Sequence, residues 1–362
     1  MRVGILKPDH LGDLILSAPA VAALRRRFDD VTLLCHPKST TLAGYLFPGM
    51  RTLPIQLPHL DKNRGPDTTG KERLRLLRDE LDLLICLRWD GQMERLLSIP
   101  DIEYHTPNPH SDKHVAAEHH DIVMPFTRGY DILESFELPG FSRIVDRPKE
   151  INSVALCISA GYHLNAWPMN HWLELAEKFH RDGCRLVLLG GPAETVRLDI
   201  LAESLESSFG TRPEVICGGH DFHATLQRLH DLVDLVVATD SGTAHMAALV
   251  RPVVSLFGGS PWQRFAPLGK HNLILSRRYP CSPCIQFYRV ALNTCHTQEC
   301  LNGLRPEQVY RCIRAYLDGI DLSSDMQLDG VWLSQSPWRA KRHERASTTR
   351  FAQDDPTINC LN

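Results

Sequence analysis

The sequence lacks any apolar run near the ~20 residues that a membrane-spanning helix needs. Residues 1–13 also lack the long apolar stretch of a secretory signal, so we expect a cytoplasmic protein. The formal net charge of -3 gives no field that would gather nucleic acid or an anionic membrane over the whole surface. We therefore expect no nucleic-acid partner and at most peripheral contact with the inner face of the cytoplasmic membrane.

The chain does not lack apolar residues. Of its 362 residues, 43% are hydrophobic and 23% are charged. This composition supplies enough apolar side chains for two domains with separate cores, which excludes global disorder. Neither half has a G-x-G-x-x-G after its first strand, which argues against a dinucleotide-dependent oxidoreductase.

Strands and helices alternate along most of the sequence. In the first half we predict strands at 2–7, 31–35 and 81–87, with a turn at 8–13 and a helix at 14–28. In the second half we predict strands at 153–159, 185–190, 214–217, 235–239 and 253–257, separated by helices at 170–181, 194–207, 224–230 and 243–250 and followed by a helix at 306–318. Such alternation predicts an α/β protein with doubly wound parallel sheets.

Changes in composition suggest where the chain divides. The polar stretch 146–152 is typical of a linker. We therefore predict an N-terminal Rossmann-like domain at 1–148 and a C-terminal one at 149–320. Residues 321–362 are polar and partly basic with few aliphatic side chains, so we predict a mostly disordered tail.

The segment 240–245 connects a predicted strand to a helix. Backbone N–H groups at a helix start have no helical partners and bind anions, so Ser241, Gly242 and Thr243 can cradle a diphosphate. The other interpretation is that Asp240 or Ser241 caps the helix, and both roles can coexist. His245, one turn along, either reaches the same ligand or packs in the core.

The first strand-to-helix turn carries a second set of polar residues, namely Lys7, Gly12 and Asp13. A carboxylate at this position can accept the proton of an attacking hydroxyl. Lys7 nearby would keep that carboxylate ionised. From spacing alone, a helix cap is the preferred interpretation of Asp13.

These residues resemble glycosyltransferase family 9, the lipopolysaccharide heptosyltransferase family. Its start pattern is a strand, a Lys or Arg, a Gly-Asp turn and an apolar helix with a proline, here Lys7, Gly12-Asp13 and Pro19. The resemblance continues in Trp167-Pro168, in 188–194, in 240–245 and in 253–258, and covers roughly residues 1 to 318. It implies a GT-B fold in which the N-terminal domain binds a glycan or lipid-linked glycan acceptor and the C-terminal domain binds a nucleoside-diphosphate sugar.

The resemblance also implies a function and assigns roles to residues. It makes Asp13 the general base and 240–245 the loop that holds the donor diphosphate, with Glu194 at the ribose. The implied reaction is inverting transfer of a sugar, a heptose from ADP-heptose, to a lipopolysaccharide-core or related glycan, and it requires no cofactor. One position departs from the family, which commonly has a lysine where this chain has Asn165. Either Lys7, His163 or Arg264 compensates, or the donor is bound differently, or activity is reduced.

Four cysteines lie within twenty residues, namely Cys281, Cys284, Cys295 and Cys300. Their paired spacing is typical of a tetrathiolate site for structural zinc or iron. The alternative is four reduced thiols in a packed loop. A second group, His105, His110, His114, His119 and His120, fits no compact ligand set and suggests a surface loop that binds the acceptor.

Two functional hypotheses are compatible with the sequence. The first is an active inverting glycosyltransferase with Asp13 as base. The second is a nucleotide-sugar-binding protein that has kept the fold with impaired catalysis, or a transferase with another donor, as Asn165 suggests. Turnover of a nucleoside-diphosphate sugar separates them.

Overall fold

The computed structural model describes residues 1–57, 72, 74–75, 77–88, 103–107, 113–127, 138, 147–218, 221–269, 271–284, 295 and 297–336. None of the helices in these residues is both long and apolar enough to cross a membrane. The described residues form two sheets, one from each half of the chain.

The first half builds a five-stranded sheet in which every neighbouring pair is parallel. Its strands are β1 (Arg2–Lys7), β2 (Asp30–Cys35), β3 (Arg51–Pro54), β4 (Leu83–Cys86) and β5 (Glu103–His105), in the order β3-β2-β1-β4-β5. β1 and β2 are buried after their first residue, because helices cover both faces of a parallel sheet. The helices are α1 (Leu11–Arg27), α2 (Thr40–Leu46) and α3 (Val115–Thr127).

The second half builds an eight-stranded sheet around a parallel core. The parallel strands are β6 (Ser153–Cys157), β7 (Arg185–Gly190), β8 (Glu214–Cys217), β9 (Leu235–Thr239), β10 (Val253–Phe257) and β11 (Leu273–Ser276). The helices are α4 (Met169–Arg181), α5 (Thr195–Phe209), α6 (Phe222–Leu232), α7 (Gly242–Ala247), α8 (Trp262–Phe265), α9 (Glu299–Asn302) and α10 (Pro306–Leu317). The doubly wound α/β fold predicted from the sequence is confirmed.

The disordered tail predicted from residue 321 onward is wrong for its first part. Strands β12 (Met326–Leu328) and β13 (Val331–Gln335) form a hairpin that adds to β11 in antiparallel fashion. Val331 and Leu333 are fully buried and lie on the same face of β13, which packs against the core. Asp329-Gly330, both with positive φ, forms the tight turn that such hairpins favour. Residues 337–362 lie outside the described part of the chain.

The two halves are packed together where α1 meets α7. One buried apolar cluster includes Val3 and Ile5 of the first sheet together with Ala238 and Val253 of the second. At its edge Arg264 of α8 forms an ion pair of 3.1 Å with Glu118 of α3. Apolar packing and a partly buried ion pair thus hold the halves in one arrangement.

Candidate functional site

The first strand-to-helix turn and the 240–245 segment are in direct contact. A Cβ atom on Gly12 would lie 3.2 Å from the Cα of Gly242 and 2.9 Å from the Cδ2 of His245. Conversely, a Cβ on Gly242 would lie 3.3 Å from the backbone nitrogen of Gly12. Because α1 and α7 both begin here, their N-terminal ends come together at the carboxyl ends of β1 and β9. The structure therefore brings the two predicted constellations to one place.

Asp13 is the third residue of α1 and is half-buried. It is not a helix cap, because His10 occupies the cap position and makes no side-chain capping bond. Its backbone carbonyl accepts a hydrogen bond of 2.7 Å from the Ser17 hydroxyl. A carboxylate in the first turn of a helix interacts favourably with the positive end of the helix dipole. This interaction stabilises Asp13 in α1 without a capping hydrogen bond.

Lys7 lies at the end of β1, but its direct partner is not Asp13. Its Nζ is 2.9 Å from the Oδ2 of Asp9, and the two groups form an ion pair without hydrogen-bond geometry. The same Nζ donates a hydrogen bond of 2.9 Å to the carbonyl of Leu87. Arg88 also contacts the Asp9 carboxylate. Burial lowers the pKa of Lys7 to about 8, and the charge of Asp13 opposes that shift. Lys7 thus anchors the turn and acts on Asp13 only at longer range.

The hydroxyl groups of Ser241 and Thr243 in the 240–245 segment form hydrogen bonds with other groups of the protein. Ser241 is the cap of α7, and its Oγ accepts from the N–H of Ala244 at 3.2 Å. Thr243 donates from Oγ1 to the Oγ of Ser159 at 3.2 Å. His245 is buried, and burial lowers its pKa to about 3, so its ring is neutral. The capping interpretation therefore holds for Ser241.

Asp240 is held by Asn165, the residue at the position of the family lysine. Asn165 donates from Nδ2 to the Oδ2 of Asp240 at 3.1 Å and lies equally close to the Oγ of Ser260. The Nε2 of His245 is 4.0 Å from the other carboxylate oxygen. Burial raises the pKa of Asp240 to about 6, although the Ser260 and Asn165 bonds lower it. Within the described part of the chain, the Asp240 carboxylate at the centre of the site thus has neutral partners.

Glu194 closes a neighbouring loop at the end of β7. Its Oε2 accepts from the N–H of Gly191 at 2.8 Å and from the Oγ of Ser159 at 3.1 Å. Ser159 therefore connects Glu194 with Thr243 on α7. Sequence reasoning missed this serine, because a serine after a strand has no distinguishing pattern.

None of the three proposed substitutes for the family lysine is bonded to Asp240. Lys7 pairs with Asp9, and Arg264 pairs with Glu118 of the first half. His163 is exposed and its ring packs against Tyr162 with centroids 4.3 Å apart. In the described part of the chain, the Asn165 position therefore carries no replacement cation.

The predicted metal site at the cysteines is not supported. Cys281 is exposed, Cys284 and Cys295 are half-buried and Cys300 is buried on α9. Within the residues that the structure describes, no three Cys, His, Asp or Glu side chains converge closely enough to hold a metal ion. Burial raises the pKa of Cys300 to about 11, which favours the neutral thiol. Cys300 instead packs beneath Gly258, where a Cβ would lie 3.2 Å from its sulfur.

The predicted histidine-rich surface loop is wrong for two of its members. His114 is buried and its Nε2 lies 2.8 Å from the carbonyl oxygen of Ala266, across the junction of the two halves. His119 is buried on α3. His110 lies outside the described residues. These histidines face inward because α3 packs its inner side against α1.

Two Rossmann-like halves meeting at the carboxyl ends of their strands define the GT-B class of glycosyltransferases. The family model for glycosyltransferase family 9 (heptosyltransferase) matches residues 113–293, half of the chain. This chain belongs to that family and is a glycosyltransferase.

The relatives of this chain are similar over most of its length. Lipooligosaccharide heptosyltransferase 2 of Campylobacter jejuni is 20% identical over 338 residues, covering 87% of this chain and 98% of the relative. The family 9 glycosyl transferase from Veillonella parvula has a TM-score of 0.64 at 18% identity, covering 87% and 97% of the two chains. E. coli heptosyltransferase WaaC with ADP has a TM-score of 0.59 at 16% identity, covering 87% and 100%.

Proposed function

We propose that this protein transfers a heptose from ADP-heptose to a lipopolysaccharide-core or related glycan acceptor in the cytoplasm, with inversion at the anomeric carbon. The observation that carries the proposal is the contact between Gly12 and Gly242, which joins the Asp13 turn to the 240–245 segment. The relatives named as heptosyltransferases support the sugar, and the solved structure of heptosyltransferase WaaC with ADP supports the nucleotide.

In the proposed mechanism, the acceptor hydroxyl attacks C1 of the donor sugar while the carboxylate of Asp13 takes its proton. The bond between C1 and the diphosphate oxygen breaks, and the nucleoside diphosphate leaves with the electron pair. Backbone N–H groups of Gly242 and Thr243, at the start of α7, donate to that developing negative charge. Attack from the side opposite the leaving group inverts the anomeric centre.

The remaining residues have supporting roles in this proposal. The Lys7–Asp9–Arg88 cluster fixes the turn that carries Asp13. Glu194, at the end of β7, is positioned to accept from a ribose hydroxyl after the donor displaces its loop bonds. The transfer as written needs no cofactor.

A second candidate is a nucleotide-sugar-binding protein with impaired catalysis. The observation that favours it is Asn165, which leaves Asp240 without a cation near the proposed diphosphate position. Transfer to an acceptor, or hydrolysis, with any nucleoside-diphosphate sugar would eliminate this candidate.

Calorimetric titration with ADP, UDP and GDP tests the donor nucleotide. We expect ADP to bind at least ~10-fold more tightly than UDP or GDP, since a base-specific pocket discriminates by about 1.4 kcal/mol or more. The titration is followed by measurement of ADP release from ADP-heptose with and without a lipopolysaccharide-core acceptor. Preference for UDP or GDP would overturn the proposed donor, and absence of acceptor-dependent ADP release would overturn the transfer.

A further inference from the structure

The carboxylate of Asp240 is surrounded by groups from three neighbouring strand ends. Asp240 itself follows β9, Ser260 follows β10, and Asn165 ends a short 3₁₀ helix, His163–Asn165, in the loop after β6. Asn165 and Ser260 are both about 95% buried. The Ser260 hydroxyl is 3.1 Å from Nδ2 and 3.3 Å from Oδ1 of Asn165, so the two side chains fix each other. The orientation of Asp240 is therefore preset rather than adaptable.

Among the residues that the structure describes, the groups in contact with this carboxylate are neutral. The amide of Asn165 and the hydroxyl of Ser260 donate hydrogen bonds without contributing a charge. His245 of α7 is the nearest titratable group, at 4.0 Å, and burial keeps its pKa at about 3. Of the other charged groups near the junction, Lys7 and Arg264 form ion pairs with Asp9 and Glu118. Asp13, from α1, adds a like charge on the facing side.

A diphosphate that enters this site meets a fixed carboxylate instead of an ammonium group. Two negative charges close together in a partly buried site repel strongly, and the system can relieve the repulsion by protonating the weaker acid. A phosphodiester-linked diphosphate stays ionised in the neutral range, which leaves the carboxyl group to accept the proton. Burial already raises the pKa of Asp240 to about 6 in the free protein, and a further ~100-fold stabilisation of the protonated form by the bound diphosphate would keep the carboxyl group protonated at pH 7.

We propose that Asn165, by holding Asp240 with neutral hydrogen bonds only, couples the binding of the donor diphosphate to uptake of one proton by Asp240. The proton comes from solvent buffer, forms an O–H bond on the carboxyl group and is released when the nucleoside diphosphate leaves. Asn165 is thus a positioning residue that acts through Asp240. The inference rests on the proposed donor site at 240–245.

Protonation of Asp240 removes the negative charge that a lysine at position 165 would neutralise. Donor binding therefore depends on pH. Above the pKa of free Asp240, each pH unit weakens donor binding by up to ~10-fold, since one proton must be taken up. At pH 7 a carboxyl group with a pKa of about 6 is roughly 90% ionised, so binding takes up about 0.9 proton. A lysine at position 165 would remove both effects, because its ammonium group would keep Asp240 ionised and neutralise the diphosphate.

Isothermal calorimetry with ADP, in buffers of different ionisation enthalpy at pH 7, measures the number of protons taken up. Because ADP titrates on its own terminal phosphate, the informative quantity is the difference between the unmodified protein and Asp240→Asn. We expect a difference of about 0.9 proton, and we expect the loss of ADP affinity from pH 6 to pH 8 to be up to ~50-fold larger in the unmodified protein than in Asp240→Asn. For Asn165→Lys we expect the number of protons taken up on ADP binding to equal that of Asp240→Asn.

His163→Lys serves as the matched control, because it adds the same charge two residues away at an exposed position. We expect its proton uptake to equal that of the unmodified protein. Equal proton uptake in the unmodified protein and Asp240→Asn would overturn the inference while leaving the donor site intact. Failure of the unmodified protein to bind ADP anywhere between about pH 5.5 and 8.5 would instead overturn the proposed donor. Should Asn165→Lys fail to fold, the comparison with Asp240→Asn still decides.

Discussion

Gly12 and Gly242 lie against each other at the junction of the two halves, and a Cβ atom at either position would be crowded by the other element. A Cβ on Gly12 would come within 3.2 Å of the Cα of Gly242. Contacts this short between backbone atoms and a new Cβ require a shift of one element, and here the elements are the first turns of two helices. The glycine pair therefore sets how closely Asp13 approaches the 240–245 segment.

Gly12→Ala is expected to separate the two helix starts. The new methyl group would lie 2.9 Å from the Cδ2 of buried His245 as well as close to Gly242. A displacement of the turn by a few tenths of an ångström is expected to lower kcat by up to ~10-fold, since a misplacement of about 1 Å can cost roughly 100-fold. Steady-state kinetics with a thermal unfolding curve measures the effect. Gly44→Ala is the control, since a Cβ there meets nothing within 4 Å, and full kcat in Gly12→Ala would show that the contact does not matter.

Asp13→Ala is expected to lower turnover by ~10²- to 10⁴-fold, the range for loss of a general base. Affinity for ADP should be nearly unchanged, because the carboxylate acts on the acceptor hydroxyl. Calorimetry and initial rates separate the two quantities. Asp121→Ala removes a carboxylate of α3 that pairs with Lys113, and it should retain activity. A fully active Asp13→Ala variant would mean that another group is the base.

Lys7→Met is expected to destabilise the protein by on the order of 3 kcal/mol, because it leaves the buried carboxylate of Asp9 with Arg88 as its remaining cationic partner. The Lys7→Met, Asp9→Asn double variant should recover part of that loss, since the unpaired charge is gone. Urea unfolding of the two single variants and the double variant gives the coupling energy. Additive effects within about 0.3–0.5 kcal/mol would show that the two side chains are not coupled.

Acid is expected to destabilise the fold between about pH 6.5 and pH 4. Burial lowers the pKa of His114 to about 4, of His245 to about 3 and of His119 well below 6.5, so the unfolded chain binds three more protons there. The lowered pKa of the partly buried His171 acts in the same direction. The raised pKa of Asp240, about 6 against 3.8, works in the opposite direction by one proton. A net difference of at least two protons corresponds to a loss of about 2.7 kcal/mol or more per pH unit.

Urea unfolding at several pH values measures this slope. His114→Gln removes one of the titrating rings, so we expect the slope to fall by about 1.4 kcal/mol per pH unit. A stability that is constant from pH 6.5 to pH 4.5 would contradict the burial of these histidines.

Much of the fold was accessible from the sequence. The strands 2–7, 185–190, 214–217, 235–239 and 253–257 agree with the structure to the residue, because a parallel strand covered on both faces is an almost unbroken apolar run. The helices begin and end within a few residues of their predicted limits. The hairpin β12–β13 was missed because the polar composition of its surroundings outweighed the Asp329-Gly330 turn signal.

The sequence alone determined the α/β alternation, the glycosyltransferase family and the positions of Asp13 and 240–245, because each depends on local periodicity or on a motif of adjacent residues. Only the tertiary structure decided which side chains meet. Lys7 pairs with Asp9 instead of Asp13, and Asn165 reaches Asp240 across 75 positions of sequence. Asn165 and Asp240 follow different strands, β6 and β9, which become neighbours only in the assembled sheet, so their separation along the sequence does not predict that they meet.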